Sequence, residues 1–221
     1  MHAGRQLYRE IQRNVSGNLL LLSMIAKFFK RSFDILFSLF VILFVFSWLL
    51  PIVAVLIKLE SKGPVFFVQL RTGRNNAHFK CYKFRSMRIN HDADKKQAAR
   101  NDHRVTRVGA LLRKTSLDEL PQFFNVLIGD MSIVGPRPHM ISHTEEYSQL
   151  TDKFTARHTL KPGITGWAQI CGLRGGISDN EAMLKRVDAD VWYLKNWSFQ
   201  LDLKIIFLTF WITLKGDKNA Y

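Results

Sequence analysis

The chain has 221 residues, a net charge of +14 and a pI of about 10.0. This length suits a single domain, and so basic a surface attracts polyanions such as nucleic acid, anionic lipid or phosphorylated substrates. Its two cysteines form no CxxC pair and its seven histidines are scattered, so the sequence argues against a disulfide scaffold or a structural zinc site and for a reducing compartment.

The pattern of charged and apolar residues in the N-terminal part indicates that it associates with a membrane. Residues 1–29 are a basic lead-in in which Asn18 to Phe29 could form an amphipathic helix on a lipid surface. Ile35 to Ile57 then runs for 23 residues without a charge, and about 20 such residues span a bilayer. A buried core helix is the alternative, and the length of the run in so small a chain disfavours it.

Two features of this run argue against a simple crossing. Pro51 removes the hydrogen bond to the carbonyl of Ser47 and predicts a kink, where the Ser47 hydroxyl could help satisfy the freed groups. Basic residues flank both ends, so the positive-inside rule gives no direction. A re-entrant helix over residues 30–60, with both ends in the cytoplasm, reconciles the kink with the symmetrical charge.

Residues 61–221 are predicted to form the body of the protein, an α+β fold with a small hairpin and surrounding amphipathic or interfacial helices. The hairpin joins Val65–Leu70 to His78–Phe84, and a charged helix and loop follow over His91–Arg107. The further predictions are a short helix at Gly109–Arg113, a helix over His139–Phe154, a strand over Ile164–Ile170, a helix over Glu181–Trp197 and an interfacial segment over Ile205–Leu214, which at ten residues is too short to span.

The central motif is the run Ser116-Leu117-Asp118-Glu119-Leu120-Pro121-Gln122. Proline is tolerated in the first turn of a helix, so a short helix is predicted to begin near Asp118, with Gly129 as its C-terminal stop. An ionised carboxylate or a phosphate is stabilised at such an N-terminus. The simpler interpretation is a capping box between Ser116 and Glu119, which physical reasoning alone favours at least equally.

Four further segments carry candidate site residues. Lys83 alternates with apolar residues on the second hairpin strand, where solvated charge is the default interpretation. Arg113 precedes the acidic pair, and Arg137 stands between two prolines that fix the backbone of a phosphate-binding guanidinium. Trp167 and Gln169 could contact a nucleotide or sugar, but packing is favoured because an aromatic side chain more often belongs to the core.

The motifs together resemble one family. Ser116–Gln122, Gly129–Pro138 (GDMSIVGPRP) and Lys161–Gln169 (KPGITGWAQ) occur in the order found in the bacterial sugar transferases, small monotopic enzymes that load a sugar-1-phosphate onto a polyprenyl phosphate. The resemblance runs from about Lys30 to the C-terminus. The C-terminal half, from Pro136 through Gly172-Leu173-Arg174-Gly175 to the final Tyr221, is most similar to the glucose-1-phosphate transferases that start exopolysaccharide synthesis. This resemblance implies UDP-glucose as the donor, with UDP-galactose as the runner-up.

This resemblance implies a re-entrant topology in the bacterial inner membrane with the catalytic part, residues 61–221, in the cytoplasm. It implies Asp118 as the nucleophile and Glu119 as its partner, with Lys83, Arg113 and Arg137 binding substrate phosphates. Mg²⁺ is expected near Asp118 or Glu119. The expected partners are a UDP-sugar, undecaprenyl phosphate, membrane lipid and downstream glycosyltransferases, and a homo-oligomer is compatible with them.

Two other functions remain open at this stage. A nucleic-acid-binding protein fits the net charge, but it does not fit the uncharged run, and no aromatic-basic RNA motif or zinc finger is present. A non-enzymatic membrane scaffold for polysaccharide assembly fits the apolar and basic features, but it has no need of Asp118, Glu119 and Arg137 together.

Overall fold

The fold is α+β, as predicted, and the computed structural model describes residues 24–90, 102–149, 151, 153–175 and 180–216. The helices are α1 (Met24–Val41), α2 (Ser47–Glu60), α3 (Arg107–Lys114), α4 (Gln122–Ile128), α5 (Ile141–Ser148), α6 (Lys153–Ala156), α7 (Trp167–Ile170), α8 (Asn180–Asn196) and α9 (Phe199–Lys215). The strands are β1 (Phe66–Thr72), β2 (His78–Phe84), β3 (Ser132–Val134) and β4 (Gly163–Thr165).

The apolar run belongs to a long helix that is apolar enough to lie in a membrane. Helix α1, a π-helical turn at Ile42–Phe46 and α2 continue into one another over Ala26–Glu60, a length of 35 residues. Only 22% of its most apolar window is buried against the protein, which argues against the core-helix alternative. The Ser47 hydroxyl donates to the carbonyl of Leu43 at 2.6 Å, one turn before the group that Pro51 leaves unpaired, and the kink remains a prediction.

Both ends of this long helix are tied to the rest of the chain. Near its start, the Arg31 guanidinium donates to the carbonyls of Val126 and Leu127 at 2.5 and 2.8 Å, which caps the C-terminus of α4. At its end, the Glu60 carboxylate accepts from the backbone N–H groups of Arg107 and Val108 at 2.6 and 2.8 Å, which caps the N-terminus of α3. The long helix therefore positions the two helices that flank the acidic motif.

The predicted hairpin is confirmed. Strands β1 and β2 pair antiparallel in a register that sets Phe66 opposite Phe84. Helix α4 is fixed to the free edge of β2 by one side chain, because the Asn125 amide donates to the carbonyl of Lys80 at 2.7 Å and accepts from the N–H of Tyr82 at 3.0 Å. The Asn125 side chain thus bonds to backbone groups that a neighbouring strand would otherwise use, and it holds the acidic segment beside the hairpin.

A short parallel pair, β3 and β4, lies in the core and supports the loop that follows β3. The N–H of Gly135 donates to the carbonyl of Thr165, and the N–H of Gly163 donates to the carbonyl of Pro136, both at 2.9 Å. A Cβ atom on Gly135 would collide with the carbonyl oxygen of Lys161. Only glycine therefore lets the Pro-Arg-Pro loop lie directly on β4.

The prediction of one strand over Ile164–Ile170 is wrong. Strand β4 ends at Thr165, and Trp167–Ile170 form the helical turn α7, in which the N–H of Cys171 donates to the carbonyl of Trp167 at 3.1 Å. The Trp167 ring stacks on Trp192 of α8 with ring centroids 4.4 Å apart. This tertiary contact selects a turn that an apolar and β-branched run does not reveal.

The other element predictions are largely confirmed. Helix α3 covers the predicted Gly109–Arg113, α8 matches the predicted 181–197 segment, and α9 contains Ile205–Leu214. The helix predicted over His139–Phe154 is two helices, because α5 ends at Ser148 and α6 begins at Lys153. Residues 1–23, which include most of the lead-in, and residues 91–101 lie outside the described residues.

Candidate active site

The acidic pair lies in a tight turn rather than in a helix. Ser116 adopts a left-handed backbone conformation with φ 60°, and a 3₁₀ turn follows at Leu117–Glu119. Helix α4 begins only at Gln122, with Pro121 before it, and Gly129 ends it with φ 100° as predicted. The prediction that the helix begins near Asp118 is therefore wrong, because the left-handed residue forces a separate turn before α4.

The capping-box interpretation is also wrong. The Ser116 side chain makes no capping hydrogen bond at this turn. Its hydroxyl instead accepts from the Arg174 guanidinium at 2.7 Å. Glu119 is therefore available for other partners, and it takes two cations.

Glu119 is buried and neutralised by two cations from distant elements. Its Oε1 lies 2.6 Å from Lys83 Nζ on β2 and 2.7 Å from Arg137 Nη2, and its Oε2 accepts from Arg137 Nη1 at 3.2 Å. Burial alone would raise the pKa of Glu119, but Arg137 and Lys83 outweigh it and hold that pKa well below its usual value. Glu119 is thus a fixed anion that orients Lys83 and Arg137.

Asp118 has a different environment although it is the next residue. Its side chain is also buried, yet none of the described residues forms a hydrogen bond or ion pair with its carboxylate. Burial raises the pKa of Asp118, Lys83 opposes the rise, Glu119 adds to it, and Arg113 and Arg137 oppose it. Among these residues, Asp118 is therefore the more basic and the less encumbered carboxylate, as a nucleophile requires.

The loop that carries Arg137 is held by two arginines, one of them buried and the other half-buried. Arg157, with 1% of its surface exposed, donates to the carbonyl of Arg137 at 2.9 Å and pairs with Asp190 of α8 at 2.7 Å. Arg71 of β1 donates to the carbonyl of Pro138 at 2.7 Å. These bonds fix the backbone at Arg137 and at the next residue, so Arg137 has little conformational freedom left to lose when a phosphate binds.

Comparison with known proteins identifies the family. A model of the bacterial sugar transferases matches residues 25–216. The chain belongs to this family. It is 53% identical over 196 residues to the UDP-glucose:undecaprenyl-phosphate glucose-1-phosphate transferase of Klebsiella pneumoniae, a match that covers 87% of the chain and 41% of that protein.

Two more relatives widen the comparison. The protein of the same name from Escherichia coli (strain K12) is 50% identical over 203 residues, covering 90% of the chain and 43% of that protein. The UDP-N-acetylgalactosamine-undecaprenyl-phosphate N-acetylgalactosaminephosphotransferase of Aeromonas hydrophila is 44% identical over 214 residues, covering 96% of the chain and 50% of that protein. The chain thus spans half or less of the length of these sugar transferases.

In this member of the family, the site unites the residues that the sequence singled out around the acidic pair. Lys83 and Arg137 contact Glu119 directly, and Arg113 acts on Asp118 through its charge. Trp167 packs against Trp192, which confirms the packing interpretation for its ring. Gln169 is also buried and its Nε2 donates to the carbonyl of Ile164 at 3.3 Å, whereas its Oε1 has no partner among the described residues.

Sequence reasoning missed Arg174, Arg157 and Asp190 as parts of the site. Arg174 lies 58 residues after Ser116, to which it donates a hydrogen bond. The only signal for it in the sequence is its position in the Gly172–Gly175 segment that resembles the family. Arg157 and Asp190 have no local signal, because a buried ion pair between two elements looks like ordinary surface charge in a sequence.

Of the two carboxylates at the site, only one suits the expected Mg²⁺. Glu119 is a poor ligand, because its two oxygens already accept from Lys83 and Arg137. Asp118 fits, since Mg²⁺ is often held by one carboxylate together with water and substrate phosphates. Among the described residues, no group of three His, Cys, Asp or Glu side chains could form an all-protein cage, so the fit depends on substrate oxygens.

Proposed function

We propose that the chain transfers a sugar-1-phosphate from a UDP-sugar to undecaprenyl phosphate, with UMP as the second product, and so starts exopolysaccharide, capsule or O-antigen synthesis. The observation that carries this proposal is the buried Asp118 beside a Glu119 that two cations neutralise. UDP-glucose is the preferred donor, because the glucose transferases named above are the more similar relatives. UDP-galactose is the runner-up.

The first half-reaction uses Asp118 as a nucleophile. A carboxylate oxygen of Asp118 attacks the phosphorus next to the sugar, the bond from that phosphorus to the bridging oxygen breaks, and UMP leaves with the bridging oxygen. A phosphosugar remains on Asp118. Arg137, Lys83 and Arg113 stabilise the negative charge that grows on the phosphates during this step.

The second half-reaction restores the enzyme. A phosphate oxygen of the lipid attacks the same phosphorus, the bond to Asp118 breaks, and the carboxylate is released with undecaprenyl diphosphate sugar as product. Glu119 keeps Arg137 and Lys83 in place through both steps, since it contacts both. Mg²⁺ held by Asp118 would supply charge neutralisation at the diphosphate when bound.

The membrane setting of the proposal follows from the long helix. We propose that residues 30–60 enter the cytoplasmic membrane and return, with Pro51 as the bend and the catalytic part in the cytoplasm. Attachment of both helix ends to α3 and α4 supports this topology. The donor is water-soluble and the acceptor is a lipid, so a site at the interface lets the two meet.

The test is UMP release in detergent from a panel of UDP-sugars, with undecaprenyl phosphate and Mg²⁺, for wild type, Asp118→Asn and Asp130→Asn. The first variant should lose about a thousandfold or more in rate, because it removes the nucleophile. Asp130→Asn makes the same change in the loop after α4 and should retain activity. Full activity of Asp118→Asn would refute the nucleophile, and no release from any donor by wild type would favour the scaffold.

A further inference from the structure

A narrow cleft with about 80 Å³ of enclosed space adjoins the acidic pair and opens to solvent. Its walls come from the 3₁₀ turn, α4, β4, α7, the segment after α7, and α9. The lining residues are Ser116, Glu119, Leu120, Phe123, Ile164, Thr165, Gln169, Ile170, Arg174, Thr209, Ile212 and Thr213. Because Glu119 is one of them, whatever binds in the cleft meets the reaction centre.

The α9 wall of this cleft is apolar in effect, although it carries two threonines. The Thr213 hydroxyl donates to the carbonyl of Thr209 at 2.8 Å, and the Thr209 hydroxyl bonds to the carbonyl of Ile205 at 2.7 Å and to Thr165 at 2.6 Å. With their hydroxyl protons engaged, they offer a ligand no hydrogen-bond donor beside Ile212. A sugar or ribose buried there would leave hydroxyls unpaired, at about 1–3 kcal/mol each, whereas a hydrocarbon chain would gain from the contact.

The polar part of the cleft suits one anionic group. Arg174 is held by the Ser116 hydroxyl at 2.7 Å. Burial raises the pKa of Glu119, and the charge of Arg174 lowers it together with the stronger effects of Arg137 and Lys83. A guanidinium fixed in this way is suited to a phosphate. The cleft therefore combines one cation with hydrocarbon walls, the chemistry of a lipid phosphate.

Helix α9 also connects the cleft with lipid. While Thr209, Ile212 and Thr213 line the cleft, another stripe of the same helix exposes Phe207, Phe210, Trp211 and Leu214. Such an aromatic and aliphatic stripe is typical of a helix at the membrane interface. One helix thus separates the membrane surface from the cleft, and a lipid has only a short distance to travel.

We propose that this cleft is the acceptor site, with the phosphate of the polyprenyl phosphate beside Arg174 and its first isoprenoid units against Phe123, Ile170 and Ile212. The proposal rests on the proposed function, because it assigns the second substrate of that reaction to a place. Ile212 is then a determinant of acceptor binding that takes no part in attack on the donor.

The test compares Ile212→Trp, which fills the apolar part of the cleft, with Leu214→Trp, the matched change on the exposed stripe of α9. Two quantities are measured in detergent: the burst of UMP from UDP-glucose without acceptor, and the KM for undecaprenyl phosphate. Ile212→Trp should keep the burst and raise the KM at least tenfold, and Leu214→Trp should leave both near wild type. Thermal unfolding shows whether Ile212→Trp folds, and Ile212→Asn replaces it if it does not.

The outcomes separate the two proposals. An unchanged KM for undecaprenyl phosphate in a folded Ile212 variant overturns the acceptor site. A weakened burst with a raised KM for UDP-glucose also overturns it, because the cleft would then belong to the donor. Absence of UMP release from wild type with any UDP-sugar, with or without acceptor, defeats the proposed function itself.

Discussion

Lys83 acts on both neighbouring carboxylates, because it lies 2.6 Å from Glu119 and also opposes the rise that burial causes in the pKa of Asp118. We predict that Lys83→Gln moves the acid limb of UMP release to higher pH. The pKa of Asp118 is already raised in the fold, and loss of a cation raises it further, while attack needs the ionised carboxylate. Activity is therefore lost as pH falls through a higher pKa, and the variant is more impaired in acid than in mild base.

The measurement is the pH profile of kcat/KM for UMP release from mildly acidic to mildly basic solution. Lys80→Gln is the matched control, since it removes the same charge from an exposed position on the same strand. Equal profiles for Lys83→Gln and wild type would show that Lys83 does not act on the nucleophile. A uniform loss at all pH values would assign it to substrate binding alone.

At the scale of single residues, the sequence predicted which side chains come together at the site. It did not predict that Asp118 and Glu119 have different partners. Asp118 and Glu119 are adjacent in one motif, yet β2 and the loop after β3 bring cations only into contact with Glu119. The left-handed Ser116 that gives them this arrangement carries no sequence signal, because serine rarely adopts that conformation and here Arg174 fixes its side chain.

At the scale of elements, two ion pairs join the α6 region to α8 in opposite environments. Arg157 and Asp190 are fully buried, whereas Lys153 and Asp188 are exposed and 2.9 Å apart. We predict that Asp190→Asn lowers the free energy of unfolding by about 3–5 kcal/mol, since it leaves a buried cation unpaired. Asp188→Asn, two residues away on the same helix, should cost no more than about 0.5 kcal/mol.

Urea unfolding in detergent, followed by tryptophan fluorescence, measures both variants. Asp190→Asn should also lower kcat for UMP release, because Arg157 holds the backbone of Arg137. Equal stabilities of the two variants would mean that the buried pair contributes no more than the surface pair. A destabilised variant with normal kcat would show that the position of Arg137 does not depend on Arg157.

Elements whose hydrophobic pattern repeats along the sequence were predictable. Elements whose conformation depends on contacts with distant residues were not. The long apolar helix, the hairpin and α8 each repeat their pattern over enough residues to be recognised. The Trp167–Ile170 turn depends on Trp192, which lies in another helix, and a window of seven residues around Ile164–Ile170 cannot contain that information.

For the whole molecule, the decisive feature is that both ends of the long helix contact the part of the fold that carries the acidic pair. Its 35 residues would measure about 52 Å along a straight axis, and the hydrocarbon core is about 30 Å thick. A crossing would place Arg31 and Glu60 on opposite sides of the membrane, yet they cap α4 and α3, the helices on either side of the acidic pair. A helix that enters and leaves on one side satisfies both caps.

We therefore predict that Lys27 and Lys62, exposed residues near the two ends, face the same side. Single cysteines at these positions, in a Cys171→Ser background that keeps only the buried Cys81, should both react with a membrane-impermeant maleimide in vesicles with the cytoplasmic face outward, and neither should react in vesicles of opposite orientation. A cysteine at exposed Asp188 reports the side of the catalytic part. If Lys27→Cys and Lys62→Cys react in opposite vesicles, the helix spans the membrane, and the Arg31 and Glu60 caps cannot both form in the membrane-bound protein.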